Sequence, residues 1–204
     1  MAAPRSVQIV LFDGFELLDV FGPVELFGLL PEHFSVTFLA PGESPVRSSQ
    51  GVTVNSDHTY AAAPAPDIIL VPGGLATREV ITDDAFLAWL RGHGTAARLV
   101  TSVCTGSALL AAAGLLEGYR ATSNKYAFRW VETFGSTVEW VPHARWVEDR
   151  DRWTSSGVAA GMDMTVALIR ALCGDEVAGV AVAMAELDHR TDSTQDPFAA
   201  LHGL

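Results

Sequence analysis

The sequence predicts one α/β domain built on a largely parallel sheet with helices on both faces. Strand-like and helix-like stretches alternate through most of the 204 residues. The strand-like stretches are apolar throughout rather than alternating, the pattern of strands buried on both sides. No repeat, low-complexity linker or break in composition divides the chain. Residues 1–204 are therefore read as a single unit, with a core over about 5–188 and a tail over 189–204.

Each element follows from its own pattern. SVQIVLF (6–12) is a continuous apolar strand ended by the turn pair Asp13-Gly14. Pro23 is placed to open a helix whose apolar positions are 24, 27 and 30. FSVTFLA (34–40) reads as a second strand, and PVRSSQGVTVNSD (45–57) as a short hairpin with polar, glycine-containing turn chemistry. PDIILVPGG (66–74) is a third buried strand closing on two glycines, followed by a helix over 83–94 with acidic residues in its first turn. ARLVTSV (97–103) is a fourth strand, and 106–116 a helix of small residues. A helix over 126–135, strands over 136–141 and on either side of Asp149–Asp151, and helices over 159–174 and 175–188 complete the core. The polar tail contains Pro197.

Composition narrows the function. Acidic residues outnumber basic ones 24 to 13, for a formal net charge of −11. Such a surface repels phosphate backbones and anionic lipid, which argues against nucleic-acid and membrane partners and leaves a small-molecule substrate open. The N-terminus lacks the apolar core of a signal peptide and no window reaches the length of a membrane span, so a cytoplasmic location is expected. In that reducing compartment Cys104 and Cys173 form no structural disulfide. No Cys/His cluster has ligand spacing, so neither a metal nor a cofactor is called for.

Cys104 is the residue that poses a question. It falls where the fourth strand turns into a helix, the side of an open α/β sheet on which reactive groups gather. Ser102, Thr105, Gly106, Ser107 and Ala108 around it are small enough for a sharp turn, as in the G-x-S-x-G nucleophile motif. Helix N–H groups and the dipole there are expected to lower the thiol pKa. Position alone leaves two readings open, a reactive thiol and a small buried hydrophobe. Cys173, late in an apolar helix pattern, reads as structural.

VCTGS after an apolar strand, LVPGG ending the strand before it, and LLDVFGPVELF near the N-terminus together resemble the ThiJ/PfpI superfamily, whose fold is the glutamine-amidotransferase-like, flavodoxin-like three-layer sandwich. Within it the chain is most similar to the isonitrile hydratase branch, through D-x-x-G-P-x-E-x-F (19–27), VTSVCTGSALLAAAGLLEGYRAT, PHARWVEDRDRW, SSGVAAGMDM and the late DPF. The resemblance covers nearly the whole chain.

It implies a catalytic pair of Cys104 as nucleophile and Asp19 as general acid. Asp19 lies among Leu17, Leu18, Val20 and Phe21, where partial desolvation favours keeping its proton. Read without the resemblance, Asp19 is equally a cap ahead of Pro23. Glu25, in the same motif, reads as a first-turn partner of the helix dipole. Thr105 is carried over as a substrate- or oxyanion-binding residue, and Gly73 and Gly74 are expected to turn backbone N–H groups toward the site. Relatives commonly carry a histidine where this chain has Asn124, followed here by Lys125, which puts a Cys–His pair in doubt and makes Asn124 a site residue. His143 reads as a strand-start residue, and His33, His58, His93, His189 and His202 carry no role.

The expected chemistry is hydration of an isonitrile to an N-substituted formamide, a carbon–nitrogen lyase reaction needing a thiol and an acid but no histidine. Leu18, Phe21 and Trp130 are expected to line its pocket. The alternatives are glyoxalase or deglycase activity on α-oxoaldehydes, and a non-enzymatic redox-sensing or chaperone-like role for the same cysteine. The resemblance also implies a homodimer, with the helix near Asp19 and the DPF tail as contact regions.

Overall fold

The computed structural model describes residues 3–204. In chain order its elements are β1 (Arg5–Val10), α1 (Leu17–Gly28), β2 (Phe34–Ala40), β3 (Val46–Arg47), β4 (Thr53–Val54), β5 (His58–Thr59), β6 (Ile68–Val71), α2 (Thr77–Val80), α3 (Asp84–Ala96), β7 (Leu99–Ser102) and α4 (Gly106–Ala112). They continue with β8 (Arg120–Ala121), α5 (Phe128–Val131), β9 (Glu139–Trp140), β10 (Trp146–Asp149), β11 (Arg152–Ser155), α6 (Ala160–Cys173), α7 (Asp175–Met184) and α8 (Phe198–Leu201). A seven-stranded sheet has the order β10-β11-β7-β6-β1-β2-β5. Every pair in it is parallel except β10–β11, the hairpin expected around Asp149–Asp151.

The chain steps from β1 to β2 in one direction, then from β6 to β7 in the other. Right-handed crossovers place the connecting helices on opposite faces when the direction reverses. Thus α1 packs with α6 and α7, while α2 and α3 pack on α4. The reversal leaves a crevice beyond the carboxyl ends of β1 and β6, where ligands bind in open α/β sheets.

The apolar strands form the core: Val7, Ile9 and Val10 of β1, all four residues of β6, and Val100 of β7 are sealed from solvent. Close approach of the layers depends on glycine in two places. A Cβ on Gly22 would lie 2.7 Å from Met162 Cγ, and one on Gly161 2.8 Å from Val103 Cγ1, so α1, α6 and the end of β7 pack tightly.

Several boundaries differ from the sequence expectation. The first helix begins at Leu17, so Pro23 lies in its interior and Asp19 in its first turn. The burial of Val20, Leu26 and Phe27 against the sheet outweighs the missing proline N–H. Glu25 therefore sits exposed in the last turn, not at the favourable end of the dipole. The helices expected over 106–116 and 126–135 shorten to α4 and α5, the latter a single turn. The strand expected over 136–141 reduces to β9, paired with β8 outside the main sheet. The tail is ordered: Arg145 N–H donates to Ser193 O at 2.7 Å and Arg129 Nη2 to Gly203 O at 3.2 Å.

Candidate active site

Three strand ends converge on one point. Asp19 follows β1, Gly73 and Gly74 follow β6, and Cys104 follows β7. Cys104 has φ 58°, left-handed for a residue that bears a side chain. Its N–H is drawn toward the Ser155 and Ser156 carbonyls at 3.2 and 3.3 Å, while its carbonyl accepts from Ser123 Oγ at 2.9 Å and Ser107 Oγ at 3.1 Å. A Cβ on Gly106 would overlap the Val71 carbonyl, so only glycine lets α4 leave the strand at this angle. Four hydrogen bonds and a steric constraint thus hold the sharp turn that aims the sulfur.

Asp19 is fully buried. Its Oδ2 accepts the Gly73 N–H at 2.8 Å. Its Oδ1 is buried without a conventional partner, and the Cys104 thiol is the neighbour close enough to perturb it. Burial pushes the Asp19 carboxyl well above the ordinary carboxylate range, outweighing the Gly73 N–H that favours the charged form; the Glu16 charge adds to the rise. Burial also pushes the Cys104 thiol up, the Asp19 charge pushes it further, and the Thr105 N–H and hydroxyl oppose both. This corrects the expectation of a depressed thiol pKa. A helix N-terminus stabilises an anion, but here desolvation and a carboxyl neighbour dominate. Burial thus favours the protonated form of both groups, acid beside thiol.

The other expected residues have specific places. Thr105 Oγ1 accepts from Gly74 N–H at 3.0 Å and lies 3.1 Å from the Thr77 hydroxyl, which donates to Gly74 O at 2.7 Å. The N–H groups of Gly73 and Gly74 are therefore engaged by Asp19 and Thr105 and do not stand free to receive an oxyanion. Gly73 still needs to be glycine, since a Cβ there would meet Thr105 N at 2.5 Å and Cys104 Cβ at 2.9 Å. Asn124 Oδ1 accepts from Ala127 N–H at 3.0 Å, which fixes the side chain and frees Nδ2 to donate. A Cβ on Gly157 would lie 2.8 Å from Cys104 Sγ and closer still to Asn124 Nδ2. Gly157 thus keeps open the gap that sulfur and amide share.

A cleft of about 300 Å³ opens beside that gap, lined by Asn124, Lys125, Arg145, Ser156, Phe198 and His202 among others. Sequence reasoning missed most of this wall. Lys125 is buried, donates to Ala144 O at 2.6 Å and Thr122 Oγ1 at 2.8 Å, and is pushed down to about 8 by burial. Arg145 is held by Asp163 at 2.7 Å, with Asp196 at 3.7 Å. His202, given no role on sequence grounds, stands exposed at the cleft and meets the Tyr126 ring edge-on. His143 is exposed and does not line the cleft; its carbonyl accepts from Asp196 N–H at 2.7 Å. Trp130 packs on Phe134 beneath the Arg78 guanidinium and does not line the cleft, while Leu18 and Phe21 are 40% and 37% exposed on α1. The expected apolar lining is thus replaced by a mixed one, because α1 turns those two side chains outward when it turns Asp19 in.

The pattern that defines the DJ-1/PfpI family matches residues 5–171. The chain belongs to the DJ-1/PfpI family. It is 35% identical to isonitrile hydratase of Pseudomonas putida over 85% of this chain and 74% of that protein. It is also 31% identical to the HTH-type transcriptional regulator GbdR of Pseudomonas aeruginosa, over 81% of this chain but only 46% of the regulator. A crystal structure of a ThiJ/PfpI family protein from Pseudomonas syringae superposes with a TM-score of 0.84 at 32% identity, over 93% of this chain and 77% of that one. Family membership therefore spans enzymes and regulators, and the local chemistry must choose between them. Among the described residues no helix is long and apolar enough to cross a membrane, and no group of three or more His, Cys, Asp or Glu side chains is placed to hold a metal ion.

Proposed function

We propose that this protein hydrates an isonitrile to an N-substituted formamide, with Cys104 as nucleophile and Asp19 as general acid. The observation that carries the reading is the geometry: a fully buried Asp19 carboxyl, anchored by the Gly73 N–H at 2.8 Å, beside the buried thiol at the left-handed elbow, where burial favours the protonated form of both groups. The isonitrile carbon must gain both a proton and a nucleophile. Asp19 gives its proton to that carbon as the sulfur bonds to it, and the thiol proton returns to the Asp19 carboxylate. The product of this step is a thioimidate, R–N=CH–S–Cys104. Water adds across the C=N bond, its oxygen to carbon and one proton to nitrogen; the C–S bond then breaks as the hydroxyl becomes the carbonyl, its proton passes to sulfur, and the formamide leaves. Thr105 N–H and Asn124 Nδ2 are the donors available to the charge that develops. A base of histidine type is not required, which suits Asn124 in its position.

The similarity to isonitrile hydratase supports the reading. We further infer one domain over 1–204, a cytoplasmic location and a homodimer, the last supported by the exposed apolar Leu18, Phe21 and Leu75 on the segments that follow β1 and β6. The competing readings are glyoxalase or deglycase activity, which draws on the 29% identity to Deglycase TK1284 of Thermococcus kodakarensis, and a non-enzymatic redox-sensing or chaperone-like role for the same cysteine.

The test is formamide production from cyclohexyl isocyanide by the purified protein. Turnover that Cys104→Ala and Asp19→Asn both abolish is the expected result. An inert wild type, or a Cys104→Ala protein as active as wild type, defeats the proposal.

A further inference from the structure

A second cavity lies against α2 and α3, apart from the cleft at the thiol. It holds about 760 Å³, larger than the cleft beside Cys104 and well within the range of small-molecule sites. Phe12, Tyr60, Phe86 and Trp89 form its aromatic wall, with Tyr60 stacked on Trp89 at 4.0 Å. The polar atoms of this wall are already engaged: Tyr60 Oη donates to Leu11 O at 2.6 Å and Trp89 Nε1 to Tyr60 O at 2.9 Å. What the wall offers a ligand is therefore apolar surface.

The charge around it has one sign. Asp13, Glu79 and Asp83 line the cavity, and no Lys, Arg or His does. Glu79 has no hydrogen-bond or ion-pair partner for its carboxylate among the described residues. Asp13 and Asp83 each have one oxygen engaged by backbone N–H groups, Arg47 for the first, Ala85 and Phe86 for the second, and neither has an ion-pair partner among the described residues. An anion would meet three carboxylates here, and a neutral polar group would find no free donor on the aromatic wall. An apolar body carrying one positive charge satisfies both surfaces.

We propose that this cavity binds a small organic ammonium ion, its hydrocarbon part on the aromatic wall and its charge beside Glu79. The site shares no lining residue with the cleft at Cys104, so it is independent of the hydratase reading.

The experiment is calorimetric titration of the full-length protein with benzyltrimethylammonium, with phenylacetate and 2-phenylethanol as anionic and neutral controls. Saturable binding about tenfold or more tighter than either control is expected, weakening as salt rises. Glu79→Lys should weaken it by about tenfold, and Ala61→Trp, which fills the cavity from an exposed lining position, should abolish it. Circular dichroism checks that both variants fold. No saturable heat, equal binding of phenylacetate, or affinity that survives both substitutions overturns the proposal. So does loss of the signal on alkylating Cys104, which would place the probe in the catalytic cleft instead.

Discussion

The most informative perturbation is Asp19→Asn, because asparagine copies the shape and hydrogen-bonding pattern of a protonated aspartic acid. Its amide oxygen can still accept the Gly73 N–H, and its amide nitrogen can donate where the acid carries its proton. The variant should therefore fold while having no proton to give. Its stability should also respond differently to pH. In the unfolded chain the Asp19 carboxyl ionises near its ordinary value, about 3.9. In the folded protein burial holds the proton to higher pH. Below both values the two states are equally protonated and the full stability is present. Between them only the folded state keeps the proton, so stability falls as pH rises, by about 1.4 kcal/mol per pH unit for one proton. The substituted side chain does not titrate, and every other group is common to both proteins. Urea denaturation of the pair across this acid-to-neutral window should show wild type losing stability relative to the variant at about that slope, and the pH at which the difference levels off reads the native pKa. Parallel curves, or wild type gaining on the variant, would refute the protonated-acid argument.

Two further substitutions test the surrounding geometry. Gly157→Ala places a methyl 2.8 Å from Cys104 Sγ, inside the gap shared with Asn124, so formamide turnover should drop about tenfold or more, with a stability loss of about 1–3 kcal/mol in denaturation as those side chains shift. Asp163→Ala removes the carboxylate that holds buried Arg145 at 2.7 Å and leaves it only the longer contact to Asp196 at 3.7 Å; denaturation should report a loss of about 3 kcal/mol.

The sequence by itself determined the architecture and the chemical types at its active edge. Runs such as IILV (68–71) and the glycines after them read as strands buried on both faces that end in tight turns, and this local logic survives folding because each strand's burial is a property of its own side chains. The same holds for the Cys104 elbow, whose small neighbours are the steric condition for a left-handed residue at a strand-to-helix turn. Helix ends were less legible. Pro23 signals a helix start, yet the packing of α1 on the sheet and on α6 carries the helix six residues earlier, and that decision is made by contacts distant in the chain.

Only the tertiary structure decided the state of the site. Whether a thiol at a helix start is acidic depends on how much water and which charges reach it, and those are set by β1, β6 and α1 arriving from separate parts of the chain. The same assembly assigned the Gly73 and Gly74 N–H groups to Asp19 and Thr105, brought Lys125, Arg145 and His202 to one wall, and turned Leu18 and Phe21 away from it. Residue types and their order are written locally. Protonation, hydrogen-bond allocation and cavity walls arise from long-range packing, which a single sequence encodes without displaying.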